Sequence, residues 1–193
     1  MNRIAHYILL LLNFFAIDSL NAQEALIPMP QDVQWSENKL DLSKGVHLEI
    51  GKSIEKNEVN LLKNLLEGQS ISLSKNKKLP SISLKLVSSL EGIQSDEGYI
   101  LQIDSQGIQI KALASKGIFY ALQTLGQLDF HERQVALVKI KDQPAYSFRG
   151  FLLDVGRNYQ PMAMLKEQID VMAKYKLNVL HFHFTEDIAW RSE

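Results

Sequence analysis

Apolar and polar residues alternate with a period of two in several segments of the chain, and this pattern is typical of β-strands. Three such segments are residues 46–50, 81–87 and 135–141. Another alternation begins at Tyr99, is interrupted by the polar sequence Asp104-Ser105-Gln106-Gly107, and resumes at Ile108. Because turn residues separate two alternating runs there, we predict a β-hairpin.

Two segments have the helical period instead. Residues 54–68 predict a helix that ends at Gly68, and a second helix follows Ser115, whose hydroxyl is expected to cap it. The second helix carries an apolar stripe made of Phe119, Leu122, Leu125 and Leu128. With the strands, these helices predict an α+β domain over residues 23–143, in which helices cover one face of a sheet.

After Pro144 the pattern changes to a strand, a helix and a second strand. The strands are "FRGFLLDVGR" and "LNVLHFHFT", and between them Pro161 precedes a helix. Its predicted apolar face consists of Leu165, Ile169 and Met172. This order predicts a βαβ unit with parallel strands over residues 144–193. Two parallel strands do not close a sheet, so we expect them to be the start of a (β/α)8 TIM barrel, incomplete within these residues.

The second strand separates two sets of side chains, because successive residues of a strand point to opposite faces. Leu180, Phe182 and Phe184 share one face, and Val179, His181, His183 and Thr185 share the other. In a barrel surrounded by helices, the apolar set faces the helices. The histidines are therefore predicted to face the barrel interior, with His181 as a core histidine beneath a pocket.

Charged residues collect where these two strands end. Asp154 and Arg157 follow the first strand, and Glu186 and Asp187 follow the second. Parallel α/β barrels place their chemistry at the carboxyl ends of the strands, so these four side chains predict a ligand pocket. The alternative from the residues alone is a salt-bridged rim that binds nothing.

Composition and charge narrow the possible partners. Hydrophobic residues make up 46% of the chain and charged residues 22%, which is typical of a globular protein. The net charge of −1 offers no broad basic surface, so we expect no nucleic-acid partner. The chain contains no cysteine, which excludes disulfides and thiolate metal sites.

The N-terminus has the pattern of a signal peptide. Arg3 precedes an apolar run at residues 7–17, which is too short for a comfortable membrane span, and cleavage after Ala22 is plausible. We therefore predict a signal peptide over residues 1–22, export to the periplasm or the exterior, and no membrane association after cleavage. An N-terminal anchor that is never cut is the alternative.

Several other residues have ordinary structural interpretations. His47 lies on a short strand and is expected at the surface, and Trp35 is expected to pack in the α+β domain. His181 and His183 share a strand face, but a metal needs a third ligand, so no metal or other cofactor is predicted. Trp190 fits a sugar platform and a packing role equally well.

Two blocks of the sequence resemble a known enzyme family. The segments "DEGYILQI" and "GIQIKALASKGIFYALQTLGQL" are similar to the accessory domain of the β-N-acetylhexosaminidases of glycoside hydrolase family 20. The segments "FRGFLLDVGRNYQP" and "IDVMAKYKLNVLHFHFTED" are similar to the first two strands of their catalytic barrel. The resemblance covers nearly everything after the signal segment. It implies an exported glycosidase of which these residues are the N-terminal part.

The resemblance also implies roles for individual residues. Arg157 matches the arginine that grips hydroxyls of the terminal sugar, which suits the fixed fork of donors on a guanidinium. Glu186 stands where the family usually has an aspartate that accepts from a sugar hydroxyl, and its extra methylene is expected to alter the preference between epimers. His183 and Asp187 match the pocket wall and its support. Two further departures indicate a divergent branch: Asp187-Ile188-Ala189-Trp190 replaces Asp-Gln-Gly-Trp, and Asn158-Tyr159 replaces a His-aromatic pair.

The family hydrolyses terminal N-acetylglucosamine or N-acetylgalactosamine with retention, assisted by the substrate itself. The 2-acetamido oxygen attacks the anomeric carbon, an aspartate stabilises that group, and the neighbouring glutamate is general acid and then base. This Asp-Glu pair is expected beyond residue 193, because Asp96-Glu97 opens the hairpin, where adjacent side chains diverge. Residues 1–193 alone are therefore expected to be inactive.

Two alternatives stay open on the sequence. The first is a non-catalytic, truncated carbohydrate-binding remnant. The second is a related substrate-assisted glycosidase family with a similar accessory domain, whose barrel would need an adjacent Asp-Asp pair instead.

Overall fold

Six strands of the described chain form one mixed sheet. The computed structural model describes residues 26–187 and 189–190, so the predicted signal peptide at residues 1–22 lies outside the described residues. The strands are β1 (Asp32–Asp41), β2 (His47–Ile50), β3 (Ser81–Leu86), β4 (Tyr99–Asp104), β5 (Gly107–Ala112) and β6 (Gln134–Asp142). Their order across the sheet is β1-β6-β4-β5-β3-β2. Strand β3 runs parallel to both β2 and β5, and the other neighbours are antiparallel.

The predicted hairpin is present as β4 and β5. These strands pair antiparallel, from Tyr99 opposite Ala112 to Asp104 opposite Gly107. Gly107 has a φ of +147°, and a Cβ there would lie 1.9 Å from the Ser81 carbonyl oxygen on β3. The turn therefore requires glycine both for its backbone angle and for its close approach to the neighbouring strand.

Two helices cover one face of this sheet. They are α1 (Lys56–Gly68) and α2 (Ser115–Leu125). Leu62 of α1 and Leu122 of α2 belong to the same buried cluster as Leu101 and Ile110 of the hairpin. Burying each of these side chains contributes roughly 1.5–3 kcal/mol, so this layer is the core of the α+β part.

The start of α2 differs from the prediction. Ala114, not Ser115, is the N-cap residue, and no side chain caps the helix there. The Ser115 hydroxyl donates instead to the Glu58 carboxylate of α1. Glu58 is 5% exposed, and a buried carboxylate needs donors, so this contact ties the two helices together.

Strand β1 escapes the alternation rule, because its sequence DVQWSENKLD is mostly polar. Among the described strands it lies at the edge of the sheet and pairs with β6 alone, and its register changes between Trp35 and Lys39. Trp35 is half-buried against the core, as predicted. His47, which was predicted at the surface, is half-buried on β2 with its Nδ1 atom 3.4 Å from the Ser74 carbonyl oxygen.

The chain after Pro144 contains a parallel strand pair with a helix between the strands in sequence. The elements are β7 (Gly150–Asp154), α3 (Met162–Lys174) and β8 (Val179–His183), and β7 pairs with β8. A short antiparallel hairpin of β9 (Thr185–Glu186) and β10 (Ala189–Trp190) follows. Among the described residues, no helix has the length and apolar character needed to cross a membrane.

The apolar side chains of α3, β7 and β8 are less completely buried than those of the six-stranded sheet. On α3, Met172 is buried and Leu165 is half-buried, but Ile169 is 48% exposed, so the predicted apolar face is only partly packed. The rings of Phe182 and Phe184 stack with centroids 5.5 Å apart, which places them on one side as predicted. They are 37% and 38% exposed.

Candidate functional site

Asp154 and His183 lie side by side at the carboxyl ends of β7 and β8. They are register partners in the parallel pair, and paired residues of neighbouring strands project to the same side of a sheet. The Asp154 Oδ2 atom lies 3.3 Å from His183 Nδ1. The Val155 amide donates to the His183 carbonyl oxygen at 2.9 Å, which continues the ladder beyond the two side chains. The strand ends thus hold a carboxylate against an imidazole.

Arg157 joins this pair through the turn after β7. Its amide donates to Asp154 Oδ1 at 3.1 Å, and its Nε atom lies 3.5 Å from Asp154 Oδ2. The Arg157 side chain is 77% exposed, so the guanidinium lies at the surface, where a ligand can reach it. Asp154, Arg157 and His183 form the strand-end cluster.

The strand-end cluster favours the ionised form of Asp154. The hydrogen bond from the Arg157 amide lowers the pKa of Asp154 below its ordinary value of 3.8, and the His183 side chain and the Gly156 amide lower it further against a smaller effect of desolvation. A carboxylate that accepts several donors stays anionic at neutral pH. Asp154 is therefore suited to accept hydrogen bonds and to orient Arg157, and poorly suited to donate a proton.

The layer beneath the strand-end cluster is open in the described chain. Leu152 of β7 pairs with His181 of β8, on the same side as Asp154 and His183. Leu152 is 56% exposed and His181 is exposed, so His181 is not the core histidine expected from the sequence. Within the described chain, the sheet formed by β7 and β8 has two strands. A closed barrel needs further strands, and none of the other described strands joins this sheet.

Glu186 and Asp187 follow the strand-end cluster in the β9–β10 hairpin. The Glu186 backbone pairs with that of Ala189, and Asp187 lies exposed in the turn. The predicted roles of Glu186 and Trp190 concern side chains outside the described part of the structure. Binding of a sugar by Asp187 and Glu186 stays a prediction. No group of three or more potential metal ligands occurs among the described residues.

Asp96 and Glu97 are engaged by two different basic residues. The Asp96 Oδ2 atom lies 3.2 Å from Lys116 Nζ, and Glu97 Oε2 lies 2.5 Å from Arg149 Nη2. Each carboxylate of this adjacent pair is thus held by its own cation. That this adjacent pair is not catalytic stays a prediction from the sequence.

Family models match the chain on both sides of its change in pattern. The model described as glycosyl hydrolase family 20, domain 2, matches residues 23–143, and the model of the family 20 catalytic domain matches residues 146–193. The chain belongs to glycoside hydrolase family 20. The catalytic-domain match contains the strand-end cluster, and family 20 membership decides against the related family with an Asp-Asp pair.

Relatives of this family 20 chain carry hexosaminidase names. The chain is 33% identical over 175 residues to β-hexosaminidase B of Pseudoalteromonas piscicida. The aligned residues make up 90% of the chain and 22% of the relative. It is 30% identical over 171 residues to N,N'-diacetylchitobiase of Vibrio harveyi, which covers 87% of the chain and 19% of the relative. The chain thus spans about a fifth of the length of these curated relatives.

Solved family 20 structures share the fold of the described chain. The exo-β-N-acetylglucosaminidase of Vibrio harveyi in complex with N-acetylglucosamine superimposes with a TM-score of 0.72 at 29% identity, over 88% of this chain and 27% of that one. The β-N-acetylhexosaminidase of Streptomyces coelicolor A3(2) gives a TM-score of 0.72 at 30% identity, over 87% and 36%. The mixed sheet and the parallel strand pair therefore correspond to part of a family 20 TIM-barrel enzyme.

Proposed function

We propose that the protein is an exported β-N-acetylhexosaminidase that removes terminal N-acetylglucosamine or N-acetylgalactosamine from glycans, and that residues 1–193 are its N-terminal part. Family 20 membership supports the reaction class. The names of the relatives, β-hexosaminidase and N,N'-diacetylchitobiase, support the sugar class. The observation that carries the proposal is the strand-end cluster, where Arg157 and His183 converge on Asp154.

The strand-end cluster suits one wall of a sugar pocket. The exposed guanidinium of Arg157 can donate to two sugar hydroxyls at once, while Asp154 holds the arginine through its amide and its Nε atom. His183 forms the adjacent part of the wall. Glu186, as the acceptor for a sugar hydroxyl, and Asp187, as its support, complete the proposed set.

We assign β7, α3 and β8 to the first βαβ unit of a (β/α)8 catalytic barrel over residues 144–193, and residues 23–143 to its accessory α+β domain. The carboxyl ends of β7 and β8 then lie on the face where such barrels place their chemistry. The exposed Leu152, Phe182 and Phe184 are surfaces that further strands and helices cover in a closed barrel. Residues 1–22 serve as the signal peptide, which leads to the periplasm or the exterior.

The proposed chemistry is a retaining, substrate-assisted hydrolysis. The 2-acetamido oxygen of the bound sugar attacks the anomeric carbon, and a glutamate protonates the leaving oxygen and later activates water. We place this glutamate and its partner aspartate after a later barrel strand, outside residues 1–193. The residues of this chain bind and orient the sugar, and the mechanism needs neither a metal nor another cofactor.

Chromogenic sugars test the proposal in the full-length gene product. The substrates are the 4-nitrophenyl β-glycosides of N-acetylglucosamine and N-acetylgalactosamine, and the control is 4-nitrophenyl β-glucoside, which lacks the acetamido group. We expect hydrolysis of at least one acetamido sugar to exceed that of the control by on the order of a hundredfold or more, because the control lacks the intramolecular nucleophile. Equal hydrolysis of all three would contradict the mechanism. Binding of N-acetylglucosamine without hydrolysis would identify a carbohydrate-binding remnant instead.

A further inference from the structure

One buried and one partly buried ion pair join the six-stranded part of the chain to the starts of β7 and β8. Arg149 precedes β7, and its Nη2 atom lies 2.5 Å from Glu97 Oε2, with the two side chains 16% and 12% exposed. Lys176 precedes β8, and its Nζ atom lies 2.8 Å from Asp142 Oδ2, with the two side chains 8% and 11% exposed. Glu97 lies just before β4, and Asp142 is the last residue of β6, so one carboxylate flanks the sheet and the other belongs to it. We call these contacts the seam ion pairs.

The Lys176–Asp142 pair lies in a closed polar network. The Lys176 ammonium also donates to the Tyr99 hydroxyl at 2.8 Å, and that hydroxyl donates to Asp142 Oδ2 at 3.0 Å. Thr124 Oγ1 lies 2.6 Å from the same hydroxyl. Burial lowers the pKa of Lys176 against the opposing effect of Asp142, and burial raises the pKa of Tyr99 well above its ordinary value. The charges are thus desolvated and depend on each other for compensation.

Arg149 connects the starts of the two strands to each other. Its Nε atom donates to the Lys176 carbonyl oxygen at 2.8 Å. Its amide donates to Asn178 Oδ1 at 2.9 Å, and the Asn178 amide donates back to the Arg149 carbonyl oxygen at 2.9 Å. The seam ion pairs therefore hold the starts of β7 and β8 to the sheet, and the hydrogen bonds of Arg149 hold the two starts to one another, at the ends opposite the strand-end cluster.

The geometry of short strands carries this restraint to their far ends. Strand β7 runs from Gly150 to Asp154, which spans about 16 Å at the rise of a β-strand. A slip of one residue in the pairing of β7 with β8 would turn every side chain to the opposite face, so Asp154 and His183 would no longer meet. The register at the start of the strands thus decides whether the strand-end cluster exists.

We propose that the seam ion pairs are positioning elements, which set the register and direction of β7 and β8 so that the strand-end cluster keeps its geometry. An ion pair withdrawn from water contributes little net stability compared with apolar residues of similar size. Stability is therefore a poor explanation for the buried Lys176–Asp142 pair and for the partly buried Arg149–Glu97 pair. A role in fixing one arrangement of β7 and β8 against the sheet explains the presence of both ion pairs. The link to sugar binding rests on the proposed function, and the link to strand register does not.

The test separates stability from positioning with two variants of the full-length gene product. Lys176→Met alone leaves the Asp142 carboxylate buried without its cation, whereas Lys176→Met combined with Asp142→Asn removes both charges. A cavity of about 220 Å³, lined in part by Lys176 and Asp142, gives the new side chains room to repack. Lys166→Met, at an exposed position of α3, is the matched control.

Three measurements are made on each variant: the melting temperature, hydrogen exchange of the β8 amides, and kcat and KM for the chromogenic N-acetylglucosaminide. We expect the single variant to melt earlier and the double variant to recover most of the loss, because no unpaired charge remains buried. We expect β8 amides to exchange about tenfold faster in both, since local opening becomes easier. A corresponding fall in kcat/KM is expected in both, and none in the control.

The outcomes decide the proposal separately from the function. Wild-type exchange in a double variant that melts like the wild type would overturn it. Faster exchange of the β8 amides in the double variant would support the positioning proposal even if the wild-type protein hydrolysed no acetamido sugar. Absence of that hydrolysis would contradict only the proposed function. Faster exchange with unchanged kcat/KM in an active enzyme would refute the positioning of the strand-end cluster.

Discussion

At the residue scale, the candidate site depends on Asp154. The sequence placed it among the charged residues at the strand ends, but the roles implied there fell on Arg157, His183, Glu186 and Asp187. The structure makes Asp154 the acceptor that both Arg157 and His183 contact. Its role follows from the register that aligns it with His183. The sequence signals for it were a position near the end of a predicted strand and a place in the segment "FRGFLLDVGRNYQP", which carries part of the family resemblance.

Replacing Asp154 with asparagine tests this role through pH. Because its folded-state pKa lies below the ordinary 3.8, ionised Asp154 adds stability that is fully present above pH 3.8 and is lost as the pH falls through the folded value. We therefore expect Asp154→Asn to melt earlier than the wild type near neutral pH, with the difference shrinking below pH 3.8. Melting followed by circular dichroism over a pH series measures this. Asp170→Asn on exposed α3 is the control, and a pH-independent difference would count against the assignment.

Replacing Arg157 with lysine tests the sugar contact. Lysine keeps the charge but loses the planar fork of donors, so we expect kcat/KM for the acetamido sugar to fall roughly ten- to a hundredfold. The melting temperature should barely change, because the side chain is 77% exposed. Arg133→Lys, at an exposed position far along the sequence, should leave the kinetics unaltered. Equal kinetics for the two variants would remove Arg157 from the proposed pocket.

At the element scale, local pattern and structure agree best in the β4–β5 hairpin. Its alternation and its polar turn are encoded within a few residues, and the antiparallel register follows from them. Strand β1 shows the opposite case, because only its pairing with β6 makes its polar sequence a strand. Ser115 is a second case in which a distant contact overrides the local pattern. Its hydroxyl bonds to Glu58 of another helix instead of capping its own helix.

The turn glycine of the hairpin supplies a prediction at this scale. Gly107→Ala should lower the free energy of unfolding by roughly 1–3 kcal/mol, because the new Cβ would meet the Ser81 carbonyl oxygen at a positive φ. Gly68→Ala is the matched control, since a Cβ at the end of α1 meets nothing within 4 Å. We expect that change to be neutral or slightly stabilising. Urea unfolding of both variants measures the difference, and equal midpoints would contradict the packing argument.

At the scale of the whole molecule, the two parts differ in how completely they are covered. The sheet and its two helices enclose a continuous buried cluster. The strand pair leaves Leu152, Phe182 and Phe184 more than a third exposed. Phe182 and Phe184 share one face of the pair, and Leu152 lies on the other. Exposed apolar faces of this kind are sites of association unless another part of a protein covers them.

This contrast predicts different behaviour for two polypeptides. Residues 23–143 should express as a soluble domain with one cooperative melting transition. Without residues 144–193, the Glu97 and Asp142 carboxylates lose their cations but become accessible to water, so no charge stays buried and unpaired. Residues 23–193 should be less soluble, because the β7–β8 pair has open edges and exposed aromatic rings. The soluble fraction and sedimentation of each polypeptide measure this. Equal solubility and equal melting of the two polypeptides would show that the β7–β8 pair does not promote aggregation.

The sequence by itself determined the family and most of the local elements, strand β1 excepted, because side-chain periodicity and short motifs are encoded in neighbouring residues. It therefore predicted the hairpin, the helices, the βαβ order and the collection of charges at two strand ends. Only the tertiary structure decided which distant groups meet. Lys176 and Tyr99 are separated by 77 positions and Arg149 and Glu97 by 52, and no local pattern relates them. Such contacts depend on how the strand pair packs on the sheet, so they arise only when the chain folds as a whole.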